Sequence, residues 1–344
     1  MLKAALIGLG AIGRVHFGSF IRLDKEKNQA VKLAAVCDFD KKKFEKTEIN
    51  SNLGNLGAKN CDFSKYNCYT SVDEMLSKEK LDLAVIALPT YLHCEYTVKC
   101  LENGINVLCE KPAALNPGQC QIMIDAAKRS NKKLMIGHCL RFWGEYEAVK
   151  KIIDSKIFGK PIAGSFFRGG DTPTWSYNNW LTKREYGGGA LFDQHIHDTD
   201  IINYFFGMPA AVSSLGRSMT EGGGYDIVTT QYIYDDRKPV NAQNDWLLAY
   251  GGSAVSMSFR VNFEGGSVAM SESGFIAAGR GEKPYVPEYD KENAYYKELK
   301  YFADCIINDK PAAINPPRDS MNTLKIIQAE IESADNGGRI IGIK

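Results

Sequence analysis

The sequence predicts an α/β N-terminal domain built on a doubly wound parallel sheet, followed by an α+β C-terminal domain with a large, mostly antiparallel open sheet. Three observations support this. A glycine-rich turn links an apolar strand to a helix near the N-terminus, buried-type strands alternate with helices as far as Gly137, and period-two strands dominate after Phe142. The 344 residues suffice for two domains, which we predict at 1–138 and 139–344.

Composition argues against several kinds of partner. The formal net charge is +1 without a clustered basic block, which disfavours nucleic acid or an anionic membrane surface. The apolar N-terminus is only one strand long, and no segment approaches the ~20 apolar residues of a membrane span. Nine cysteines without a CxxC pair indicate reduced thiols rather than disulfides or a zinc site. We therefore expect a cytoplasmic protein that acts on small molecules.

The first element is an apolar strand from Lys3 to Ile7, and a helix is predicted from Arg14 to Leu23. In a glycine turn between such elements, the first glycine permits the tight turn, the second lets the backbone approach a pyrophosphate, and the third lets helix and strand pack closely. The phosphates then lie at a helix N-terminus, which favours anions. The residues predicted to bind a dinucleotide here are Gly8, Gly10, Ala11, Ile12 and Gly13.

A second apolar strand, Val31 to Cys37, ends at Asp38, which lies 25 residues beyond Gly13. An acidic residue at this strand end is placed to accept hydrogen bonds from the adenosine ribose, and it repels a 2′-phosphate. NAD is therefore predicted as the cofactor, with NADP less favoured. Two alternatives stay open, because Asp38 can simply start a turn and the lysines at 41–43 can soften the discrimination.

The rest of the first half continues the alternation after a polar segment at 45–67, predicted as a long surface loop. Strands are predicted over 81–88, 106–109 and 133–137, with helices over 93–103 and 116–130. Ligands of doubly wound sheets lie at the carboxyl ends of the strands. Thr90 and Lys111 follow such ends, so both are candidate ligand residues, although Lys111 can equally be a solvated loop charge.

The stretch from Gly187 to Phe206 combines two faces if it is a helix. The apolar face carries Leu191, Ile202 and Phe206, and the polar column carries Asp193, His197, Asp200 and Tyr204. At about 100° per residue the four polar side chains fall within roughly a 60° arc. A histidine with a carboxylate one turn away suits proton transfer. One alternative is a helix that shows its polar side to water. Another is a metal bound by His195, His197 and Asp198, which requires a strand; the helical periodicity disfavours it, and no metal is predicted.

Period-two strands dominate the second half. They are predicted over 227–234, 242–250 and 254–263, with a turn at 264–266. They indicate an open, largely antiparallel sheet. Aromatic faces stack on the C–H surfaces of sugars and polyols, and charged donors bind hydroxyls. The candidate pocket residues on this basis are Arg141, Trp143, Arg168, Trp175, Tyr177 and Trp180. Of these, Arg141 and Trp180 are the first choices for substrate binding.

Several segments spread nearly end to end carry a more specific signal. They are GLGAIGRVH at 8–16, LPTYLHCEYTVKCLENGINVLCEKP at 88–112, RF at 141–142, GGGALFDQHIHDTD at 187–200 and the closing helical YYKELKYFADCIINDKP. Together they resemble the Gfo/Idh/MocA family of oxidoreductases, the group of glucose-fructose oxidoreductase and inositol 2-dehydrogenase. The Glu-Lys-Pro tripeptide and the Asp-x-x-x-His pair carry this resemblance more specifically than the glycine turn does.

The resemblance implies an NAD-dependent dehydrogenase with an N-terminal Rossmann domain and a C-terminal domain for substrate binding and oligomerisation. It implies hydride transfer to the nicotinamide from a secondary alcohol of a polyol, sugar or sugar derivative. His197 would be the general base, Asp193 its partner, and Lys111 would lie beside the nicotinamide and the reacting hydroxyl; Asp193 and His197 would also bind substrate. The cofactor cleft would be lined by Pro89, Thr90, His93, Glu110 and Lys111. Family members pair or form tetramers through their sheet, so a homodimer or homotetramer is expected.

Two features depart from the family pattern. His195 adds an imidazole on the packed side of the site helix, and the loop near 54–68 is longer than expected. Two other activities stay open: a glycoside-cleaving enzyme that oxidises its substrate transiently with NAD, and a non-catalytic sugar or NAD sensor. The presence of Lys111, Asp193 and His197 together disfavours the sensor.

Overall fold

The computed structural model describes residues 1–26, 30–45, 61–219, 221–248 and 255–344. The chain divides into two compact units. Unit 1 comprises Met1–Cys139 and Asn293–Met321, and unit 2 comprises Leu140–Glu292 and Asn322–Lys344. Most of the long loop predicted at 45–67 falls outside the described residues.

Unit 1 is built on a parallel sheet. Its strands are β1 (Leu2–Ile7), β2 (Val31–Cys37), β3 (Asn67–Tyr69), β4 (Leu83–Ile86), β5 (Asn106–Glu110) and β6 (Leu134–Gly137). Within the described residues the order is β3-β2-β1-β4-β5-β6, and every neighbouring pair is parallel. The order runs outward in both directions from β1 and β4, which is the doubly wound arrangement. The predicted fold class of the first domain is confirmed.

Five helices flank these strands in the described part of the first 139 residues. They are α1 (Ala11–Asp24), α2 (Lys42–Glu45), α3 (Val72–Lys78), α4 (Thr90–Glu102) and α5 (Pro117–Ser130). The start of α5 follows from its sequence, because Asn116 accepts the N–H of Gln119 at 3.0 Å and Pro117 takes the first helical position. The helix predicted to start at His93 begins instead at Thr90, directly after Pro89.

Unit 2 is built on a mostly antiparallel sheet. Its strands are β7 (Pro161–Gly169), β8 (Ala211–Arg217), β9 (Ile227–Ile233), β10 (Val240–Asp245), β11 (Ser256–Phe263), β12 (Gly266–Ser271), β13 (Gly274–Gly279) and β14 (Ile341–Gly342). Among the described residues the order is β13-β12-β11-β7-β10-β9-β8-β14. The pair β7–β10 is parallel and the other pairs are antiparallel. The predicted fold class of the second domain is confirmed.

The strand predicted over 242–250 is β10, which spans 240–245 instead. It stops because the side chain of Asp245 accepts the N–H of Leu247 at 2.7 Å, which turns the chain. Residues 249–250 of that prediction, and residue 254 at the start of the strand predicted over 254–263, lie outside the described residues.

The two faces of the unit 2 sheet differ in character. The helices α6 (Gly144–Ser155) and α7 (Ile196–Phe206) contribute to the core on one face, where the ring of Phe166 stacks on Phe259 with centroids 6.1 Å apart. The alternate positions of the same strands carry polar side chains such as Ser165 and Asn241, which share a 3.1 Å hydrogen bond. This alternation is the period-two pattern that the sequence shows.

The predicted domain boundaries differ from the units in one segment. The first change, after residue 139, lies next to the predicted boundary at 138. Residues 293–321, which the prediction places in the second domain, belong to unit 1. They hold α8 (Ala294–Ile307) and the start of α9 (Pro317–Asp335). The apolar side of α8, including Leu299 and Phe302, joins the core around β1 and α1. A single boundary between two continuous segments cannot describe unit 1, because residues 293–321 return to its core.

Two further observations concern the thiols and the apolar character of the described helices. All nine cysteines are free thiols, and Cys68 is the exposed one. Among the described helices, none combines the length and apolar character that crossing a membrane requires.

Candidate active site

The glycine turn between β1 and α1 is shaped by close backbone contacts. Gly8 has a φ of +96°, and a Cβ there would lie 2.4 Å from the carbonyl oxygen of Ala87. A Cβ on Gly13 would lie 2.0 Å from the Gly8 carbonyl oxygen, so helix and strand approach as the motif requires. A Cβ on Gly10 would meet nothing within 4 Å, and no side chain caps α1 at this position. The turn therefore leaves space for a pyrophosphate at the helix N-terminus.

Asp38, at the end of β2, is fixed beside this turn. Its Oδ2 accepts the N–H of Leu9 at 2.8 Å, and its Oδ1 accepts the N–H of Asp40 at 3.0 Å. The Nζ of Lys43 also lies 3.0 Å from Oδ2. The carboxylate is thus held rigidly, and one of the lysines suspected of softening its charge is its ion-pair partner.

His93 ties the end of β4 to the segment after β5. Its Nδ1 lies 2.7 Å from the carbonyl oxygen of Pro112, and its Nε2 lies 2.7 Å from that of Leu88. Burial lowers the pKa of the imidazole, and the two carbonyl contacts oppose this shift. Pro89 and Thr90 open the same helix, so these three predicted cofactor residues lie at one strand end.

Glu110, the last residue of β5, anchors Lys111. Its Oε2 accepts the backbone N–H of Lys111 at 3.1 Å, and its Oε1 lies 2.6 Å from Nε2 of the buried His16. Glu298 on α8 is fully buried in the same unit, and its Oε1 accepts an N–H of Asn315 at 3.2 Å. Burial, and then the negative charge of Glu110, raises the pKa of Glu298 well above its ordinary value. Sequence reasoning missed Glu298, which has no local motif.

The predicted site helix forms, but its first turn is π-helical. The π-turn spans Leu191–His195, α7 continues from Ile196, and the helix ends before Gly207. The preceding glycines are needed, since Gly189 has a φ of +74° and a Cβ there would lie 2.8 Å from the backbone of Gly224. Single π-turns are rare and occur frequently at functional sites.

The side chains of residues 191–200 are buried, apart from Asp193 and His197, which are partly exposed. Leu191 and Ile202, expected on the packed face, are fully buried as predicted. Asp200, expected in the polar column, is only 1% exposed, so the column is wrong at that position. A helix that simply shows its polar side to water does not fit this burial.

Two buried arginines bind the carboxylates of α7. Arg141 donates to Asp200 from Nε at 2.9 Å and from Nη2 at 2.8 Å. Arg168 donates to Asp198 from Nε and Nη2, both at 3.0 Å. Such bidentate pairs are strong and fix geometry. Both arginines were candidate pocket residues, and binding of substrate by Arg141 stays a prediction.

His195 lies on the packed side of the π-turn, as predicted, within a buried polar cluster. Its Nε2 lies 3.3 Å from the hydroxyl of Tyr232 and 3.5 Å from Oε2 of Glu330. The hydroxyl of Thr199 lies 3.1 Å from that of Tyr232 and donates to Oε1 of Glu330 at 3.4 Å. Sequence reasoning missed Tyr232, Thr199 and Glu330, because β9 and α9 carry no signal that links them to this helix.

The metal alternative for His195, His197 and Asp198 is not supported by this geometry. His195 contacts Tyr232 and Glu330, whereas Asp198 binds Arg168. In the ranges that the structure describes, no group of three or more His, Cys, Asp or Glu side chains could hold a metal ion.

Trp180 lies in the loop before the site stretch. Together with Trp175 it packs against a small cluster of Leu181, Ala190 and Trp246. Ala190 directly precedes the π-turn, so the half-buried Trp180 packs against a cluster that includes a residue of the site stretch. Its binding of substrate stays a prediction.

Comparison with known proteins agrees with this arrangement. Residues 2–138 match the family model for the oxidoreductase family with an NAD-binding Rossmann fold, and residues 146–269 match the GFO/IDH/MocA C-terminal domain. Oxidoreductase P35 of Formosa agariphila is 30% identical over 250 residues, which are 69% of this chain and 75% of that protein. The chain belongs to the Gfo/Idh/MocA family of oxidoreductases.

Relatives within the Gfo/Idh/MocA family differ in their named activities. The 2,7-anhydro-N-acetylneuraminate hydratase of Mediterraneibacter gnavus is 28% identical over 63% of this chain and 54% of its own length. The scyllo-inositol 2-dehydrogenase of Bacillus subtilis is 25% identical over 98% of this chain and 95% of its own length. The chain thus spans about half the length of some curated relatives that it matches, 54% in the case of the hydratase.

A solved structure of an oxidoreductase from Agrobacterium radiobacter, in complex with NAD⁺, L-tartaric acid and magnesium, shares the Gfo/Idh/MocA fold. The TM-score is 0.82 at 18% identity, and the match covers 99% of this chain and 98% of that one. The likeness extends over both units. An NAD-binding Rossmann domain in residues 2–138 therefore agrees with the predicted cofactor.

Proposed function

We propose that the protein is an NAD-dependent dehydrogenase that transfers hydride from a secondary alcohol of a polyol, sugar or sugar derivative to the nicotinamide. The observation that carries this proposal is the selective exposure of Asp193 and His197 in an otherwise buried stretch. A catalytic pair must reach its substrate while the elements beneath it stay rigid. The scyllo-inositol 2-dehydrogenase among the relatives supports a cyclic polyol or sugar as the substrate class.

The proposed roles follow from the chemistry of the side chains. His197 accepts the hydroxyl proton, and Asp193 orients the imidazole and stabilises its cation. Lys111 donates to the substrate oxygen and stabilises the negative charge that develops there as the proton leaves. Bound NAD⁺ supplies the acceptor for the hydride from the same carbon. The products are a ketone, NADH and a protonated His197, which returns its proton to solvent.

The residues that bind the cofactor are also part of this proposal. The open space at Gly10 and the uncapped start of α1 suit the pyrophosphate, with the five residues of the glycine turn as its cradle. Asp38 accepts the ribose hydroxyls and favours NAD over NADP. The residues proposed to line the cofactor cleft are Pro89, Thr90, His93, Glu110 and Lys111.

Trp180 is the aromatic side chain that we propose for contact with the C–H face of the substrate, beside Asp193 and His197. For Arg141 the bidentate pair with Asp200 favours a positioning role. The stability of the Arg141→Met variant distinguishes this role from direct substrate binding by Arg141.

A second candidate activity uses NAD without net oxidation. The relative named 2,7-anhydro-N-acetylneuraminate hydratase favours it. In such a reaction a hydroxyl is oxidised, which acidifies the neighbouring C–H; a base removes that proton and a C–O bond breaks. Water or a hydroxyl would then add, and bound NADH would supply the hydride that reduces the carbonyl group again. His197 can serve as the base in either reaction, and NADH does not accumulate in the second.

The deciding experiment mixes the purified protein with NAD⁺ and a panel of inositols, aldoses, glycosides and anhydro sugars. His197→Ala is the parallel sample, and both NADH and sugar products are measured. NADH formation by the wild type alone supports the dehydrogenase. Product formation without NADH supports the second candidate. Equal NADH formation by wild type and His197→Ala would contradict the proposed role of His197.

We also propose a homodimer or homotetramer formed through the polar face of the unit 2 sheet. Ile276 on β13, which is 46% exposed, lies on this face, in one cross-strand row with Ala269, Arg260, Ser165 and Asn241. Light scattering of the wild type should give a mass that is a multiple of the chain mass. The Ile276→Lys variant should have a lower mass. A monomer mass for the wild type would contradict the proposal.

The nine free thiols fit a reducing cytoplasm, which is the location we propose.

A further inference from the structure

A buried polar cluster beneath the π-turn takes no direct part in the reaction proposed above. It consists of His195, Thr199, Tyr232 and Glu330, and is called the His195 cluster. We propose that the His195 cluster is a positioning device that holds the π-turn, and with it Asp193 and His197, in the geometry needed for proton transfer. This inference rests on the proposed function, because it assigns the cluster to that same catalytic pair.

His195 lies midway along the chain between Asp193 and His197, the proposed catalytic pair. His195 is the last residue of the π-turn and lies two residues from Asp193 and two from His197. A π-turn has i→i+5 hydrogen bonds and is rare within α-helices, so it persists where other contacts favour it. Any shift of His195 back towards α-helical geometry would rotate Asp193 relative to His197.

The contacts of His195 come from elements that are fixed independently. Tyr232 lies on β9, in the interior of the unit 2 sheet, and Glu330 lies on α9. A further contact holds the same turn, since Asn244 on β10 donates to the side chain of Gln194 at 3.1 Å. The π-turn is therefore attached to two strands and one helix.

Burial makes these contacts hard to replace by water. His195, Thr199 and Glu330 are 0% exposed and Tyr232 is 2% exposed. A buried carboxylate needs partners; His195 and Thr199 contact the carboxylate of Glu330, and its charge acts on the hydroxyl of Tyr232. Burial, and then the charge of Glu330, raises the pKa of Tyr232 well above its ordinary value, so its hydroxyl remains protonated.

The imidazole of His195 is held from one side. Among the described residues its Nδ1 has no hydrogen-bond partner, so Nε2 makes the contacts that orient the ring. Loss of either Tyr232 or Glu330 as a partner should therefore loosen the ring and the turn that carries it. If the cluster only filled the core, the orientation of the His195 imidazole would not affect the positions of Asp193 and His197.

The test compares Tyr232→Phe and Glu330→Gln with a matched control, Tyr234→Phe. The control also removes a buried tyrosine hydroxyl, which donates to the carbonyl oxygen of Gly207 at 3.0 Å, at the far end of α7. We expect kcat to fall by about tenfold to about a hundredfold in the two cluster variants, as for a small misplacement of a reacting group, with an unchanged KM for NAD⁺. The solvent deuterium isotope effect on kcat should rise, because proton transfer becomes the slower step. The control, Tyr234→Phe, should keep the kcat and the isotope effect of the wild type.

A second readout does not require activity. Amide hydrogen exchange over residues 190–198 should be faster in Tyr232→Phe than in the wild type, and unchanged there in Tyr234→Phe. Folded cluster variants with the kcat, isotope effect and exchange of the control would overturn the inference. Failure of the proposed function is a different result: no turnover by the wild type, or full turnover by His197→Ala, with the exchange difference still present. Glu330→Gln is the more disruptive change, and Tyr232→Phe keeps the test valid if that variant does not fold.

Discussion

Arg141 and Asp200 form a bidentate ion pair inside unit 2, with both side chains 1% exposed. The carboxylate also accepts a hydrogen bond from Thr323 at 3.1 Å. Asp200 lies on α7, one turn after His197, so the pair fixes the helix that carries the proposed base. Arg168 forms a second buried ion pair with Asp198, which lies two residues before Asp200 on the same helix.

Removing Arg141 should therefore destabilise the protein rather than only weaken substrate binding. Arg141→Met leaves Asp200 buried without its cation, which typically costs about 3–5 kcal/mol, and Arg141→Met/Asp200→Leu should regain most of it. Urea unfolding measures both. As a control, Lys238→Met removes an ion pair with the exposed Asp236 and should change little. If Arg141→Met kept its stability and raised only the KM for substrate, direct substrate binding by Arg141 would be the better assignment.

Lys111→Met and His197→Ala should each lower turnover far more than they lower NAD⁺ affinity. Both side chains are proposed to act on the substrate hydroxyl, and general acid–base groups contribute about a hundredfold to about ten-thousandfold to the rate. Steady-state kinetics give kcat, and fluorescence titration gives the NAD⁺ affinity. Lys78→Met, on the exposed side of α3, is the control for loss of a positive charge. Parallel losses of turnover and NAD⁺ affinity would count against these roles.

Asp38→Asn should shift the cofactor preference towards NADP. The amide oxygen can still accept the N–H of Leu9, but the charge that repels a 2′-phosphate is gone and Lys43 loses its ion-pair partner. Because like-charge contacts cost on the order of several kcal/mol, the ratio of kcat/KM for NADP to that for NAD should rise at least about tenfold. Adding Lys43→Ala should reverse part of this gain. An unchanged ratio in Asp38→Asn would mean that Asp38 does not set the preference.

The parts of the site that the sequence predicted are those encoded locally. Asp193 and His197 are four residues apart in one continuous helical stretch, and the glycine turn follows directly after β1, so local spacing was enough to predict both features. The burial of Asp200 depends on Arg141, which is 59 residues away, and no periodicity shows that an arginine will neutralise it. The π-turn depends in the same way on contacts from β9, β10 and α9. An ideal helical wheel therefore predicted the helical stretch but not the buried ion pair of Asp200.

Glu298 makes a prediction about stability and pH. Its pKa is raised in the folded protein, by burial first and by the charge of Glu110 second, whereas in the unfolded chain it lies near about 4.3. Below about pH 4.3 both states hold the proton and the contribution of Glu298 is fully present. As the pH rises above that value, the unfolded chain releases the proton and the folded protein keeps it, so stability falls until the folded pKa is passed.

Glu298→Gln should remove this dependence, because an amide of similar shape stays neutral and its oxygen can still accept the N–H of Asn315. Its melting temperature relative to the wild type should increase steadily from about pH 5 to about pH 8, a window that begins above the unfolded pKa. Thermal unfolding at several pH values measures it. Glu332→Gln, at an exposed position of α9, should show no such trend. A difference that is constant or shrinks with rising pH would mean that Glu298 is ionised in the folded protein, and the buried acid beside Glu110 would then need a cation that compensates both charges.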